Sequence, residues 1–138
     1  MLDPDICSMR TREDIESYLV RAGLGHEELE DSMWKVRDRD SGETIVVSLA
    51  GTLLLFRVKV LELTKVKGSR EKLFEKLLEL NAEEMVHGAY GIADEAVVIT
   101  CTLRLENLDY TEFQGTIDDF SMALTNHYET LAPFRGAA

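Results

Sequence analysis

The sequence is poor in cysteine, proline and positive charge. Its 138 residues include two cysteines and two prolines, and 15 lysines and arginines stand against 26 aspartates and glutamates, which gives a net charge of −11. Two cysteines are too few for a disulfide framework, and 45% hydrophobic residues with little proline argue against a disordered chain. The negative charge disfavours a nucleic-acid or anionic-membrane binder, because phosphate groups attract positive charge.

Long apolar runs are also missing. No stretch approaches the roughly 18 apolar residues of a membrane span, and the N-terminus MLDPDICSMR lacks the apolar core of a signal peptide. Cys7 lies near that terminus and Cys101 lies in an apolar run, which suits a reducing compartment. We therefore expect a cytoplasmic protein that folds as one domain over residues 1–138, with a flexible tail at residues 1–10.

The apolar pattern predicts helices interleaved with antiparallel strands. A helix is expected over residues 12–23, because Thr11 can cap it and apolar residues follow at helical spacing. The period then changes to two, and further helical stretches follow. The remaining elements are expected over residues 32–37, 44–49, 53–63, 70–81, 85–92, 96–106 and 110–131. The expected fold is α+β, a twisted antiparallel sheet of about five strands packed with helices in the order α-β-β-β-α-β-β-α.

The predicted helix over residues 70–81 carries more apolar surface than one contact needs. Its apolar side chains cover an arc of roughly 160°, whereas a stripe of about 100° is enough for one packed surface. We therefore expect this helix to contact two surfaces through Leu73, Phe74, Leu77, Leu78 and Leu80.

The sequence contains no recognisable catalytic or metal-binding motif. The run HGAYG at residues 87–91 has the glycines of a phosphate loop, but it follows a helix and enters a strand, which reverses the required order. His26, His87 and His127 lack metal-ligand spacing and are expected at the surface. Cys101 is expected to be a core side chain. We therefore expect no enzymatic activity, no metal site and no cofactor.

A basic surface is predicted when the strands are aligned by phase. If the apolar strand residues face the helices, basic side chains gather on the opposite face of the sheet, mixed with a few apolar ones. This face would contain Lys35, Arg37, Arg39, Val46, Leu55, Arg57, Lys59 and Arg104. Two interpretations remain open: these side chains solvate an exposed sheet, or they form a docking face for an acidic or amphipathic segment of a partner.

The second half of the chain resembles a known superfamily. The likeness rests on the helix end Leu77-Leu78-Glu79-Leu80-Asn81, the strand VVITCTL over residues 97–103, and Leu108-Asp109-Tyr110 before a long last helix. Over residues 70–132 these features resemble the type III secretion chaperone-like superfamily, which includes the Tir chaperone (CesT) family and the YbjN family. The first half agrees in element order only.

The resemblance implies a small acidic α+β protein that commonly forms dimers. Chaperones of this superfamily hold an extended segment of a client protein without ATP, through hydrophobic patches and added backbone pairing. By this resemblance Leu73, Phe74, Leu77 and Leu78 would contact a second copy in a homodimer. The chain is then either a non-catalytic module that binds a client or regulatory protein, or a YbjN-like sensory or regulatory domain. The second alternative would bind a small ligand near Tyr90, or a signalling partner.

Overall fold

A six-stranded antiparallel sheet packs against helices on one face in this computed structural model, which describes residues 9–30 and 32–135. The strands are β1 (His26–Glu30), β2 (Met33–Arg37), β3 (Thr44–Ala50), β4 (Leu53–Glu62), β5 (Ala89–Ala93) and β6 (Ala96–Arg104). The helices are α1 (Arg12–Arg21), α2 (Arg70–Glu83), α3 (Tyr110–Asn126) and the short α4 (Tyr128–Leu131). The sheet order is β1-β2-β3-β4-β6-β5, and the predicted α+β class is confirmed.

The described residues form one strand more than the five that the sequence predicts. The additional strand is β1, which pairs antiparallel with β2 at one edge of the sheet. Its sequence HEELE shows no alternation of apolar and polar residues, because four of its five residues are exposed. A pattern with a period of two marks a strand that buries one face, so it does not reveal a strand of this kind.

Two element boundaries also differ from the predictions. β5 begins at Ala89 and not at residue 85, because the chain before it is a loop that ends at Gly88, whose φ is +84°. The predicted helix over residues 110–131 is interrupted at His127, where α3 ends and α4 begins. Both positions lie close to the β5–β6 hairpin: Gly88 lies against Thr100 of β6, and His127 lies beside Tyr90 of β5.

The first two helices begin at the expected residues 12 and 70, directly after the capping residues Thr11 and Ser69. The Thr11 hydroxyl accepts a hydrogen bond from the Asp14 N–H, and the Asp14 carboxylate accepts one from the Thr11 N–H, which completes a capping box. At the start of α2 the Ser69 hydroxyl accepts a hydrogen bond from the Lys72 N–H. These bonds satisfy backbone donors that a helix N-terminus leaves unpaired, so local sequence fixes both starts.

The core lies between the sheet and the helices. Trp34 of β2 and Phe56 of β4 are 0% and 1% exposed. The Phe56 ring centroid is 5.6 Å from that of Phe113 and 6.1 Å from that of Phe120, both on α3. Because successive strand residues point to opposite faces, this packing turns the alternate positions away from the helices.

The N-terminal residues are described only in part. Residues 1–8 of the predicted flexible tail, with Cys7, lie outside the described residues. Met9 forms an antiparallel bridge with Glu106, and the Arg10 N–H donates a hydrogen bond to the Leu105 carbonyl. None of the helices within residues 9–30 and 32–135 is long and apolar enough to span a bilayer.

Candidate functional site

The residues predicted to bind a partner lie on the face of the sheet opposite the helices. Lys35 on β2 is paired with Val46 on β3, and Val46 is paired with Arg57 on β4, so these three side chains form one row across the strands. We call this surface the open face. It contains Lys35, Arg37, Val46, Leu55, Arg57, Lys59 and Arg104.

Arg39 does not belong to the open face, and its predicted position is wrong. It lies in the turn after β2, where the alternation of strand faces no longer applies. Its guanidinium Nη2 donates a hydrogen bond to the Gly23 carbonyl, just beyond α1 and therefore on the helix side of the sheet.

Ion pairs make the open face less basic than its composition indicates. Arg57 Nη2 lies 2.9 Å from Asp94 Oδ2, and Lys59 Nζ lies 2.9 Å from Glu62 Oε1. These exposed pairs contribute little to stability, but they neutralise part of the local charge. In the part of the chain that the structure describes, three cations of this face form no salt bridge: Lys35, Arg37 and Arg104.

The residues predicted to contact a second copy are divided between the core and the surface. Leu73 and Leu77 of α2 are 0% and 5% exposed and pack in the chain's own core. Phe74 is partly buried, whereas Leu78 is 68% exposed. The wide apolar arc of α2 therefore turns one side to the core. Of the four predicted contact residues, Leu73 is fully buried in this core, Leu77 is almost fully buried, and Leu78 has a largely exposed side chain.

An apolar groove of about 280 Å³ lies between α2 and the edge strand β5. Leu78 and Ile92 beside it are 68% and 53% exposed, so two large apolar side chains stand together at the surface. We call this surface the edge groove. It is lined by Phe74, Leu77, Leu78, Asn81, Tyr90, Gly91 and Ile92. Sequence reasoning missed Ile92 as a site residue, although its phase with Tyr90 on β5 was the available signal.

Asn81, near the end of α2, is hydrogen-bonded to the backbone of β5. Its Oδ1 accepts a hydrogen bond from the Tyr90 N–H at 2.7 Å, and its Nδ2 donates one to the Tyr90 carbonyl at 3.1 Å. Sequence reasoning did not assign a role to this residue. The only signal was a single amide in a leucine-rich helix end, which does not say what the amide binds.

The Tyr90 side chain joins β5 to the junction of α3 and α4. Its hydroxyl lies 2.7 Å from His127 Nδ1, and His127 Nε2 lies 3.6 Å from Glu84 Oε2. His127 is 5% exposed, so its predicted surface position is wrong. Burial lowers the pKa of His127, against the opposing effect of Glu84, and burial raises the pKa of the Tyr90 hydroxyl. Both groups are therefore neutral at pH 7 and act as a buried structural link.

Cys101 on β6 is partly buried and poorly suited to nucleophilic chemistry. Burial, and then the charge of Asp119, raise the pKa of its thiol, which disfavours the reactive thiolate. Asp119 also contacts His87 Nδ1. Across residues 9–30 and 32–135, no group of three or more His, Cys, Asp or Glu side chains could hold a metal ion.

The two glycines of the HGAYG run have different surroundings. A Cβ atom at Gly88 would lie 2.6 Å from the Thr100 carbonyl oxygen, so β6 packs too closely there for any side chain. A Cβ atom at Gly91 would meet nothing within 4 Å. Gly88 is therefore required by packing, whereas Gly91 leaves open space over the edge strand.

Comparisons with known proteins match nearly the whole chain. The family model CesT_Tir_1 matches residues 8–136. The crystal structure of YbjN from E. coli superposes with a TM-score of 0.67 at 14% identity, and covers 94% of this chain and 97% of that chain. Among curated proteins, no sequence matches significantly.

Two further solved structures share the fold. A chain of the heterodimeric ExoU–SpcU complex, from the type III secretion system of Pseudomonas aeruginosa, has a TM-score of 0.69 at 16% identity, over 86% of this chain and 98% of that chain. A chain of the complex between the Yersinia pestis type III secretion chaperone SycH and a stable fragment of YscM2 has a TM-score of 0.61 at 15% identity. That match covers 84% of this chain and 98% of the other.

Proposed function

The chain belongs to the CesT_Tir_1 family, and we propose that it is a non-catalytic, chaperone-like module that holds an extended segment of a partner protein and acts as a homodimer. The family match confirms the predicted resemblance to type III secretion chaperones. The ExoU–SpcU and SycH–YscM2 structures are complexes between proteins, which supports partner binding. We further propose that residues 1–138 form a single domain of this kind in the cytoplasm.

The observation that carries the proposal is the open face. Val46 and Leu55 are partly buried on it. Val46 lies between Lys35 and Arg57 in one row across the strands, and Leu55 lies between Ser48 and Thr102 in another. An extended segment could place apolar side chains on Val46 and Leu55, and carboxylates near Lys35 and Arg37. Apolar contact with a charged rim is the usual composition of a protein interface. The whole chain has a net charge of −11, so cations that form no salt bridge with any described residue favour an acidic or amphipathic segment.

The described side chains support a non-catalytic role. The Tyr90–His127 pair is buried and neutral, and its polar atoms face each other. The raised pKa of the Cys101 thiol opposes nucleophilic attack. Catalysis needs convergent polar groups beside an accessible reacting atom, and neither group has that arrangement.

The partner-binding proposal can be tested with a pair of charge-matched variants. Lys35→Glu/Arg37→Glu reverses two cations of the open face, and Lys67→Glu/Lys72→Glu makes the same charge change at exposed positions outside that face. Affinity capture with cross-linking in host lysate would identify the partner of the wild-type chain. We expect the open-face variant to lose that partner and the control to keep it. Equal retention by two folded variants would contradict a role for the open face.

The proposed homodimer is assigned to the edge groove. A twofold-symmetric contact uses the same patch of both copies, so the patch must complement itself. Phe74, Leu78 and Ile92 give such a patch, because apolar side chains pack against identical apolar side chains. Sedimentation of the purified chain measures the oligomer directly. A monomeric mass at every concentration up to the millimolar range would contradict the homodimer.

A YbjN-like domain that binds a small ligand is the alternative function. The edge groove lies beside Tyr90, as that alternative requires, and its volume of about 280 Å³ could hold a small molecule. However, the Asn81 amide is already bound to the Tyr90 backbone, and the Tyr90 hydroxyl faces His127. A ligand site needs a few polar groups aimed at the ligand, so this groove favours an apolar protein surface. A metabolite panel in a thermal-shift assay would test the alternative, since a bound ligand raises the unfolding temperature.

A further inference from the structure

The hairpin of β5 and β6 determines which backbone groups of β5 face outward. Its turn consists of Asp94 and Glu95, which both have positive φ, and the flanking pair is Ala93 with Ala96. In a two-residue hairpin the flanking pair exchanges both backbone hydrogen bonds, and bonded and non-bonded pairs alternate from there. Gly91 therefore turns its N–H and C=O toward β6. Tyr90 and Ile92 turn theirs away from the sheet.

Asn81 occupies one of these two outward positions. Its carboxamide accepts a hydrogen bond from the Tyr90 N–H and donates one to the Tyr90 C=O, as a residue of a neighbouring strand would. The outward groups of Ile92 have no hydrogen-bond partner among the described residues. The edge of β5 is thus closed at Tyr90 and open at Ile92.

This arrangement limits how the β5 strands of two copies can pair. In an antiparallel pair with its twofold axis at Gly91, Tyr90 of each copy would exchange hydrogen bonds with Ile92 of the other. Asn81 blocks both of those exchanges. With the axis at Ile92, Ile92 pairs with itself, and Tyr90 would then have to pair with Asp94, which lies in the turn. In that arrangement only Ile92 and Ile92 of the other copy could exchange backbone hydrogen bonds.

We propose that Asn81 prevents the β5 edge from pairing with the β5 edge of a second copy of the chain, and we call this effect the guard. While its carboxamide holds Tyr90, two copies meet through the apolar side chains of the edge groove and not through paired β5 strands. Gly91 offers no steric obstacle to such pairing, because a Cβ atom there would meet nothing within 4 Å. Asn81 is therefore the feature that opposes it. This inference deepens the proposed homodimer and rests on it, and the experiment below separates the two.

The test is the self-association of Asn81→Ala, measured by sedimentation equilibrium with hydrogen exchange of the β5 amides. Alanine removes the carboxamide and favours a helix, so α2 is retained. We expect the dissociation constant of self-association to fall about tenfold or more, because a second backbone pairing becomes possible. The Tyr90 amide should become protected as concentration rises. Unchanged association, with faster Tyr90 exchange at every concentration, would reduce Asn81 to a structural brace and overturn the proposal.

Two further variants keep the test decisive. Asn81→Ala/Gly91→Lys places a lysine at the proposed twofold axis, where like charges meet, so association should return to the wild-type level. Persistent tight association would show that the gain does not come from β5 pairing. If Asn81→Ala does not fold, Asn81→Gln replaces it, because one extra methylene moves the amide out of line with Tyr90. A similar fall in the dissociation constant of self-association in Asn81→Gln would support the guard, and an unchanged dissociation constant would contradict it.

The proposed homodimer has a separate readout. A wild-type chain that stays monomeric contradicts the homodimer, while a gain of association in Asn81→Ala still supports the guard. A wild-type dimer whose dissociation constant is unaffected by Asn81→Ala supports the homodimer and overturns the guard.

Discussion

The two edges of the sheet are protected in different ways. β1 has three glutamates in five residues, and its pairing with β2 is irregular between Glu28 and Glu30. β5 has the sequence AYGIA, without a charged residue and with a regular register against β6. Charge and a bulge on the strand itself discourage pairing at β1. At β5 the protection comes from Asn81 of a neighbouring helix.

The two edges therefore differ in what a second strand would have to overcome. At β1 it would meet the charge of three glutamates, whereas at β5 it would have to replace the hydrogen bonds of one side-chain amide. A strand covered by glutamates repels any second strand, whereas a side-chain amide can be displaced by a better partner. The apolar side chains near β5, Leu78 and Ile92, lie where such a partner would pack.

Replacing Gly88 should disrupt the β5 edge most strongly. In Gly88→Val the new Cβ would lie 2.6 Å from the Thr100 carbonyl oxygen, at a φ of +84° that β-branched residues avoid. We expect the free energy of unfolding to fall by about 3 kcal/mol or more, measured by urea unfolding followed by circular dichroism. Gly91→Ala is the matched control and should change it by less than about 1 kcal/mol. Equal effects of the two substitutions would contradict the close packing at Gly88.

Removing the Tyr90 hydroxyl should weaken the link between β5 and the helices. Tyr90→Phe leaves the buried His127 Nδ1 without its partner at 2.7 Å. We expect a loss of about 1–3 kcal/mol in the free energy of unfolding, the usual cost of an unsatisfied buried polar atom. Tyr128→Phe is the control. Tyr128 is 57% exposed, so this substitution should lower the free energy of unfolding only slightly. The same value for both variants would argue against the buried hydrogen bond.

Acid should destabilise the same link through His127. Its pKa is lowered in the folded chain, below the ordinary value of about 6.5 that the unfolded chain has. As pH falls below about 6.5, the unfolded chain binds the proton first, so stability is lost until the pH reaches the folded pKa. The thermal midpoint should therefore fall less on acidification in His127→Gln than in the wild-type chain. An identical pH profile would contradict this role.

Charge in the edge groove should prevent the proposed contact between copies. Leu78→Glu puts a carboxylate into an apolar self-contact, so the dissociation constant of the dimer should rise about tenfold or more. Sedimentation velocity would measure it. Val20→Glu on α1 is the control, because Val20 is 66% exposed and Leu78 is 68% exposed. A similar loss of association in both variants would place the contact elsewhere.

Neutralising β1 should have the smallest effect. Glu27→Gln/Glu30→Gln removes two charges from this edge and leaves Glu28, which is paired with Arg12. We expect weak, concentration-dependent association that light scattering detects, because an edge strand without charge can pair with another. Glu75→Gln/Glu83→Gln makes the same change on α2. Light scattering equal to that of this control would mean that the bulge protects β1 without the charges.

Much of the fold could be predicted because its determinants are local or periodic. Thr11 and Ser69 cap their helices by contacts with residues three positions away. The phase of the apolar residues identified the helix-facing side of the sheet, and with it the open face. β1 was missed because both of its sides are mostly exposed, so burial imposes no alternation on its sequence.

The candidate site was predicted less completely because its contacts join distant parts of the chain. Arg57 pairs with Asp94, which is 37 positions away, and this pair neutralises part of a face that composition describes as basic. Tyr90 reaches His127 across the same number of positions, so a histidine expected at the surface is buried. The apolar arc of α2 was visible in the sequence, but its division into core and groove depends on where the sheet lies.

Residue types and their local order account for the acidic charge of this chain, the starts of its capped helices, its alternating strands and its family. These properties depend on residue type and on neighbours within a few positions. Contacts between distant residues account for the Arg57–Asp94 pair, for the leucines of α2 that remain at the surface, and for the hydrogen bonds of Asn81 to the outward backbone of Tyr90. The contact of Asn81 with Tyr90 depends on the path of the loop that ends at Gly88, because this loop returns the chain from α2 to β5, and a short-range pattern of residue types does not encode that path.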